Sequence, residues 1–348
     1  MHAIRQAIAL LTENQPLSED LAGEVAGEIL DGSATPAQIG AFLVALRIRG
    51  EQPEHLRAFA RSMRAFASPV AIEQPEMLID TCGTGGDGAN TFNVSTAAAL
   101  VAAAAGARIA KHGNRAVTGA PGSGSADVLA ALGVNIECPT EVSIASIAHC
   151  GIGFFFAPAY HQALRHAGPA RREIGVRSIL NLLGPLANPA GVGRQVIGVG
   201  QPGLTDVFAR VLAGLGSRHV LVVYGLDGLD ELSLLGPTRI TEAIGSDVHP
   251  TFMLTPEEVG LQRCTLADLR GGDSAAERAE QLRAIFAGEP GPRRETTLLN
   301  AAAALRVAGL APTWPEGLAR AARAIDSGAA RQTLEALVRF TTAETPTI

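Results

Sequence analysis

The sequence has almost no lysine. Of its 28 basic residues one is lysine, Lys111, and the other 27 are arginine. A base-composition bias that puts arginine wherever a generic positive charge suffices explains the scarcity, and the position that keeps lysine is then one where arginine does not serve. Aromatic residues make up 4% of the 348 positions, charged residues 18%, and the formal net charge is -6. Affinity for a phosphate backbone rests on surplus Lys and Arg, so this balance excludes a general nucleic-acid binder. The four cysteines (Cys82, Cys138, Cys150, Cys264) show no CxxC or metal-ligand spacing, which argues against a disulfide framework and a zinc site. No apolar run reaches the ~20 residues of a membrane span without a charge, glycine or proline breaking it. The opening MHAIRQAIALLTENQ reads as a short amphipathic segment and not a signal peptide. The expectation is a soluble cytoplasmic protein with no membrane and no nucleic acid among its partners. The 39 glycines have no Gly-X-Y period, and a hydrophobic share of 47% does not fit low-complexity disorder.

Apolar positions at Ile4, Ile8, Leu11 and at Leu21, Val25, Ile29 recur at helical spacing. Thr35-Pro36 reads as an N-cap followed by proline at the first helical position, Gly50 closes that helix, and Pro53 opens another through Arg64. From Met77 short apolar runs alternate with Ala-rich helical stretches (MLIDTC, TAAALVAAAAG, ARIAKHG, SADVLAALG), the mark of βαβ units and a parallel sheet. The alternation resumes with QVIGVG, a helix over 205–215, and HVLVVYG. Between them, 140–183 reads as helical. The fold class is therefore α/β: a large domain with a mainly parallel sheet flanked by helices, plus a small all-helical domain. The expected division is 1–70, joined by part of 165–188, against 71–164 with 189–348.

Residues 83–88 read Gly-Thr-Gly-Gly-Asp-Gly, a G-x-G-x-x-G match after a predicted strand. A dinucleotide fold also needs an acidic residue about 20 positions on to hold the ribose. Between Ala89 and Ala126 there is no Asp or Glu, and the next strand ends in Lys111-His112. A Walker loop fails as well, because no Gly-Lys-Ser/Thr occurs. What is left is a phosphate site of another kind. Glycines let backbone N–H groups surround an anion, and Asn93-Val94-Ser95-Thr96 opens an Ala-rich helix with Ser95 or Thr96 expected as its cap. Lys111 closes the neighbouring strand, at the edge where parallel sheets place ligands.

GTGGDG, TFNVST and AKHGNR, in this order, resemble the anthranilate phosphoribosyltransferases. The similarity continues through GSADVLAALG, FFFAPAYHQAL, ARREIGVRSILNLLGPLANP and YGLDGLDELS and covers nearly the whole chain. The resemblance implies a small helical and a large α/β domain, a homodimer formed through the small one, Mg²⁺ as cofactor, and transfer of phosphoribosyl from phosphoribosyl pyrophosphate to the anthranilate amine. It implies that Gly83, Thr84, Gly85, Gly86 and Asp87 line the phosphoribosyl pyrophosphate site. Asn93, Ser95 and Thr96 would bind pyrophosphate, with Ser95 also a metal ligand, Lys111 would meet a phosphate, and Ser123 would close over the phosphates. Asp230-Glu231 is the metal candidate, since Mg²⁺ takes one or two carboxylates beside phosphates and waters. Asn114 and Arg171 are assigned to anthranilate, Arg171 pairing with its carboxylate. Gly83, His112, His161 and Pro185 are expected in the same pocket. The displacement calls for positioning and electrostatics, with no covalent nucleophile.

His2, His55, His149, His219 and His249 are read as structural, and Arg172 and Arg177 as structural or rim charges. The chain departs from the family pattern at Thr118-Gly119, where Ser-Ser is usual, and in a loop to Ser125 about two residues longer. It departs again at Leu180 for Phe and Tyr224 for His. A pyrimidine-type nucleoside phosphorylase shares the architecture, but the KHGNR block and Arg171 favour an aromatic carboxylate acceptor. A non-catalytic, nucleic-acid-binding paralogue would need a basic surface and eroded loops.

Overall fold

The computed structural model describes residues 2–116 and 123–343. Four helices come first, α1 (Ala3–Thr12), α2 (Glu19–Leu30), α3 (Pro36–Arg49) and α4 (Pro53–Ala65). Their starts follow local chemistry. Ser18 accepts a hydrogen bond from the Leu21 amide at 3.2 Å to cap α2. Thr35 and Gln38 form a reciprocal capping box ahead of Pro36 on α3. Gly50 ends α3 at φ 89°, and Pro53 begins α4.

The sheet segment follows as β1 (Ile79–Gly83), α5 (Val94–Ala104), β2 (Ile109–Gly113), α6 (Ser125–Ala131), α7 (Thr140–Cys150), β3 (Ile152–Phe156), α8 (Ala157–Tyr160) and α9 (Gly168–Ile174). It continues with β4 (Arg194–Gly198), α10 (Leu204–Gly214), β5 (His219–Gly225), β6 (Thr238–Ile244), β7 (Asp247–Val248), β8 (Phe252–Leu254) and α11 (Leu266–Leu269). Helices α12 (Ala275–Phe286), α13 (Pro292–Val307), α14 (Trp314–Asp326) and α15 (Ala329–Thr342) complete it. Strand order is β3-β2-β1-β4-β5-β6-β7, parallel from β3 to β5, with β6 antiparallel to β5 and β8 on β6.

The stretch 140–183, expected to be helical, contains the edge strand β3. A run of five apolar residues is too short for periodicity to separate a buried helix from a strand. Gly151 at φ 76° breaks the chain before it, and the whole run pairs with β2.

Apolar side chains bury on both faces of the sheet. On one, α5, α6 and α12–α15 share a core with Ile109, Val196, Leu221 and Val223. Nine of the eleven residues of α5 are buried, and its alanines leave room for α13 to pack closely. On the other, α1–α4 share a core with Ala167, Ala170 and Ile179–Ala187, with α10, and with Ile197, Val220 and Val222 of the sheet. Leu180 and Tyr224, two departures from the family pattern, both pack in this second core. Where the chain returns to the sheet, the Asn188 amide donates to Asp80 Oδ2 at 2.9 Å and to the Ala110 carbonyl at 2.8 Å.

Chain order reverses between β1 and β4: β2 and β3 extend the sheet one way from β1, while β4 and β5 extend it the other. Ligands of open parallel sheets sit beyond the strand carboxyl ends at such a switch point. Gly83 and Gly198, the last residues of β1 and β4, mark it. No described helix is long and apolar enough to cross a membrane.

Candidate active site

A cavity of about 570 Å³ opens at this point. Its floor is the glycine loop, where Gly85, Gly86 and Gly88 all have positive φ and so turn backbone groups in ways other residues rarely adopt. Thr84, Gly86, Asp87, Asn93, Ser95, Thr96, Lys111 and Ser123, the positions assigned to phosphoribosyl pyrophosphate, all line it together with Gly83. So do His112, Asn114, Asp230 and Glu231. The Thr118-Gly119 pair lies outside the described residues.

The start of α5 differs from the expectation. Neither Ser95 nor Thr96 caps it: Asn93 occupies the N-cap position and Ser95 lies inside the first turn. The Asn93 amide instead donates to the Ser123 carbonyl at 2.9 Å, joining the helix start to the next loop. Thr96 Oγ1 is buried and has no hydrogen-bond partner in the structure. The free amide of Ser95 donates to Glu231 Oε1 at 3.1 Å, so a carboxylate stands at the positive end of α5.

Asp230 and Glu231 follow β5 by five residues and turn back over the β1 and β4 ends. Asp230 Oδ2 accepts a hydrogen bond from the Gly85 amide at 2.9 Å. Burial, with the charge of Asp87 beside it, pushes the Asp230 carboxyl up to about 7. Burial, then the charge of Asp230, raises Glu231 well above the usual carboxylate range. Three acidic side chains, Asp87, Asp230 and Glu231, thus meet in the cavity, and only Lys111 offsets part of the cost at Glu231. Among the described residues no three acidic, histidine or cysteine side chains form a closed ligand set. The arrangement fits Mg²⁺, which takes oxygen ligands from one or two carboxylates and fills the rest with phosphate and water.

Lys111 is 2% exposed. Its ammonium donates to the Thr81 carbonyl, and its charge partly offsets the burial that raises the carboxyls of Asp80 and Glu231. Lysine therefore sits in the cavity wall between the strand ends and the carboxylates. Thr81 in turn donates through Oγ1 to the Ser95 carbonyl at 3.0 Å, tying the lysine's anchor to α5.

Asn114 and His112 reach the cavity from β2, but Arg171, His161 and Pro185 do not line it. His161 stands behind His112, their rings edge to face with centroids 5.1 Å apart. Burial lowers both histidines, His112 to about 3. Burial also lowers Arg171, on α9, which makes no ion pair among the described residues.

Three residues on or beside the cavity have no site role in the sequence reading. Arg177, taken as a rim charge, donates to the Gly85 carbonyl at 3.1 Å and packs against Gly86. Asp127 accepts from the amides of Ala116 and Gly124, each at 2.9 Å, and closes the base of the loop between them. Arg278 comes from α12, in a stretch with no visible motif. The first two lie inside blocks that carry the resemblance, so their position was the available signal; Arg278 had none.

Residues 5–67 match the glycosyl transferase family helical bundle domain, and residues 75–331 match the glycosyl transferase family a/b domain. Anthranilate phosphoribosyltransferase from Anaeromyxobacter dehalogenans is 50% identical, across 97% of this chain and 99% of that protein. The enzyme of the same name from Syntrophotalea carbinolica is 49% identical, again across 97% of this chain and 99% of its own. Among solved structures, the Thermus thermophilus anthranilate phosphoribosyltransferase superposes with a TM-score of 0.90 at 43% identity, covering 99% of this chain and all of that one. The Saccharomyces cerevisiae enzyme, solved in complex with phosphoribosyl pyrophosphate and Mg, gives 0.87 at 27% identity, covering 97% of this chain and 98% of the other. With half its residues shared with these relatives over nearly its full length, the chain belongs to the anthranilate phosphoribosyltransferase family.

Proposed function

We propose that this protein transfers the phosphoribosyl group of phosphoribosyl pyrophosphate to the amine of anthranilate, in tryptophan biosynthesis. The observation that carries the reading is the meeting of the glycine loop, the Lys111–Asn114 segment and Asp230-Glu231 in one cavity at the sheet's switch point. In the transfer the bond from the ribose anomeric carbon to pyrophosphate breaks, a bond to the amine nitrogen forms, and the amine gives up a proton. The chain holds the two partners in line and meets the charge that develops on the leaving group.

The backbone of Gly83–Asp87 cradles phosphate, with Asn93, Ser95 and Thr96 at the α5 end and Ser123 over it. Asp230 and Glu231, with Ser95, hold Mg²⁺, whose contribution when bound is to neutralise charge on pyrophosphate. Lys111, anchored on Thr81 in the cavity wall, is assigned to a phosphate of the donor. Asn114 and His112 face the acceptor, and neutral His112 with His161 behind it gives that side an uncharged, polarisable wall. Arg171, on α9 and without an ion-pair partner among the described residues, is assigned to the anthranilate carboxylate; Pro185 lies on the same return segment.

The division into a helical unit, 1–70 with part of 165–188, and a sheet unit is supported by the packing of Ala167, Ala170 and Ile179 among α1–α4, a core that runs on into α10 and the sheet. A homodimer through the helical unit is supported by Ile48, 78% exposed on α3. Cytoplasmic residence goes with the reaction. The test is anthranilate fluorescence: mixing the protein with anthranilate, phosphoribosyl pyrophosphate and Mg²⁺ is expected to quench it at a rate proportional to protein. A folded protein that leaves the signal unchanged overturns the reading.

A further inference from the structure

Arg278, on α12, is 2% exposed and yet forms part of the cavity wall. A buried guanidinium ordinarily faces a carboxylate, because an unpaired internal charge is costly. This one makes no ion pair within the described residues, and the nearby Asp273 is engaged by Arg270 at 3.3 Å. All its hydrogen bonds go to neutral oxygens. Nε donates to the Gly272 carbonyl at 2.8 Å, and Nη1 donates to the Thr91 carbonyl at 2.6 Å and reaches Asn93 Oδ1 at 3.5 Å. Nη2 donates to Asn90 Oδ1.

The segment so gripped is the link from the glycine loop to α5. Asn90 holds a positive φ of 53°, an uncommon conformation for a residue with a side chain, and its carbonyl accepts from the Gly271 amide at 2.9 Å. Gly271 admits the arginine: a Cβ there would lie 2.5 Å from Arg278 Nη1. One arginine thus spans the turn over 90–93 from outside, and no carboxylate among the described residues bonds to it, Asp273 acting on it only from a distance.

We propose that Arg278 is a positioning residue for the phosphate end of this site, orienting Asn93 at the start of α5 and contributing a positive charge, with no ion-pair partner among the described residues, beside the bound phosphates. The inference rests on the proposed phosphoribosyl transfer, and it adds a specificity device for the anionic donor. Because Arg278 acts on one substrate, its loss separates the two. Arg278→Gln keeps polar contacts to Thr91 and Asn90 but removes the charge. The expected result is a KM for phosphoribosyl pyrophosphate raised about tenfold or more, with the KM for anthranilate unchanged within about twofold.

Calorimetry with magnesium pyrophosphate alone is expected to show the same loss of affinity, with the unfolding midpoint near that of the unmodified protein. Arg278→Lys, which keeps the charge and loses the fork, is expected to fall between the two; it also serves if the Gln variant does not fold. Unchanged pyrophosphate affinity in a folded variant, or an equal rise in both KM values, overturns the inference. The calorimetric arm needs no transfer, so a wild-type protein that binds magnesium pyrophosphate but leaves anthranilate untouched sinks the functional reading and not the role of Arg278.

Discussion

Gly198 and Asp230 meet backbone to backbone: a Cβ placed on Gly198 would lie 1.5 Å from the Asp230 carbonyl oxygen. Gly83, paired with Gly198 across β1 and β4, leaves similar room, since its Cβ would lie 2.6 Å from Asp230 Oδ2. Two glycines at adjacent strand ends therefore let the 230–231 carboxylates sit directly on the sheet edge. Neither has a positive φ, so the requirement is space and not backbone freedom.

Gly198→Ala tests that space. The carbonyl contact is backbone and cannot swing aside, so the loop carrying Asp230 and Glu231 must move. The variant is expected to lose about 1–3 kcal/mol of stability by urea unfolding, as overpacked sites do. Mg²⁺-dependent turnover should fall more than the stability loss explains, because both carboxylates are displaced together.

Asp230→Asn with Glu231→Gln separates function from stability. Burial raises both carboxyls, with Asp87 acting on Asp230 and Asp230 on Glu231, so their negative charge works against the fold when no cation is bound. Metal-dependent transfer should be abolished. In metal-free buffer the double variant should unfold at a higher temperature than the unmodified protein, by about 1 kcal/mol in free energy. A lower midpoint together with retained turnover would place the metal elsewhere.

The ease of reading these parts from sequence differed for physical reasons. The glycine loop, the strand ending at Lys111 and the Asp-Glu pair each sit in contiguous blocks, and a parallel sheet delivers strand ends to one edge whatever the order of its strands. β3 was hidden because five apolar residues carry no period that separates strand from helix. Asn93 as N-cap was missed because three capping-type residues stand within four positions, and only the backbone path chooses among them. Arg278 was invisible for another reason: its partners lie some 185–188 residues away, at Asn93, Thr91 and Asn90. The count of lysines leads to Lys111, which lines the cavity, but its carbonyl and carboxylate surroundings are not something a count could specify.

Lys111→Arg follows from that environment. The ammonium donates to Thr81 in a wall where it is 2% exposed, and its charge moderates Asp80 and Glu231. Arginine keeps the charge but needs a planar fork and more volume. The expected loss is about 1–3 kcal/mol in urea unfolding and at least about tenfold in turnover, since 1.4 kcal/mol in a barrier is tenfold in rate. Full activity in the variant would return the single lysine to compositional chance.

His112 sets a dependence of stability on pH. Burial, with His161 beside it, lowers its folded pKa to about 3, against about 6.5 in an unfolded chain. Below 6.5 the unfolded state binds the proton that the folded state refuses, so the imidazole's contribution is complete above that value and declines as pH falls toward 3. His161 is lowered in the same direction by its own burial. Replacing one histidine by a non-titrating residue should flatten the slope without reversing it. Between pH 6.5 and 5.0 the unmodified protein is expected to lose about 1.6 kcal/mol more than His112→Asn, since the unfolded imidazole is half protonated at pH 6.5 and the slope approaches 1.4 kcal/mol per pH unit only below it. Urea midpoints at the two pH values measure this directly, and parallel losses in the two proteins would show that the His112 ring is protonated in the folded state as readily as in the unfolded one.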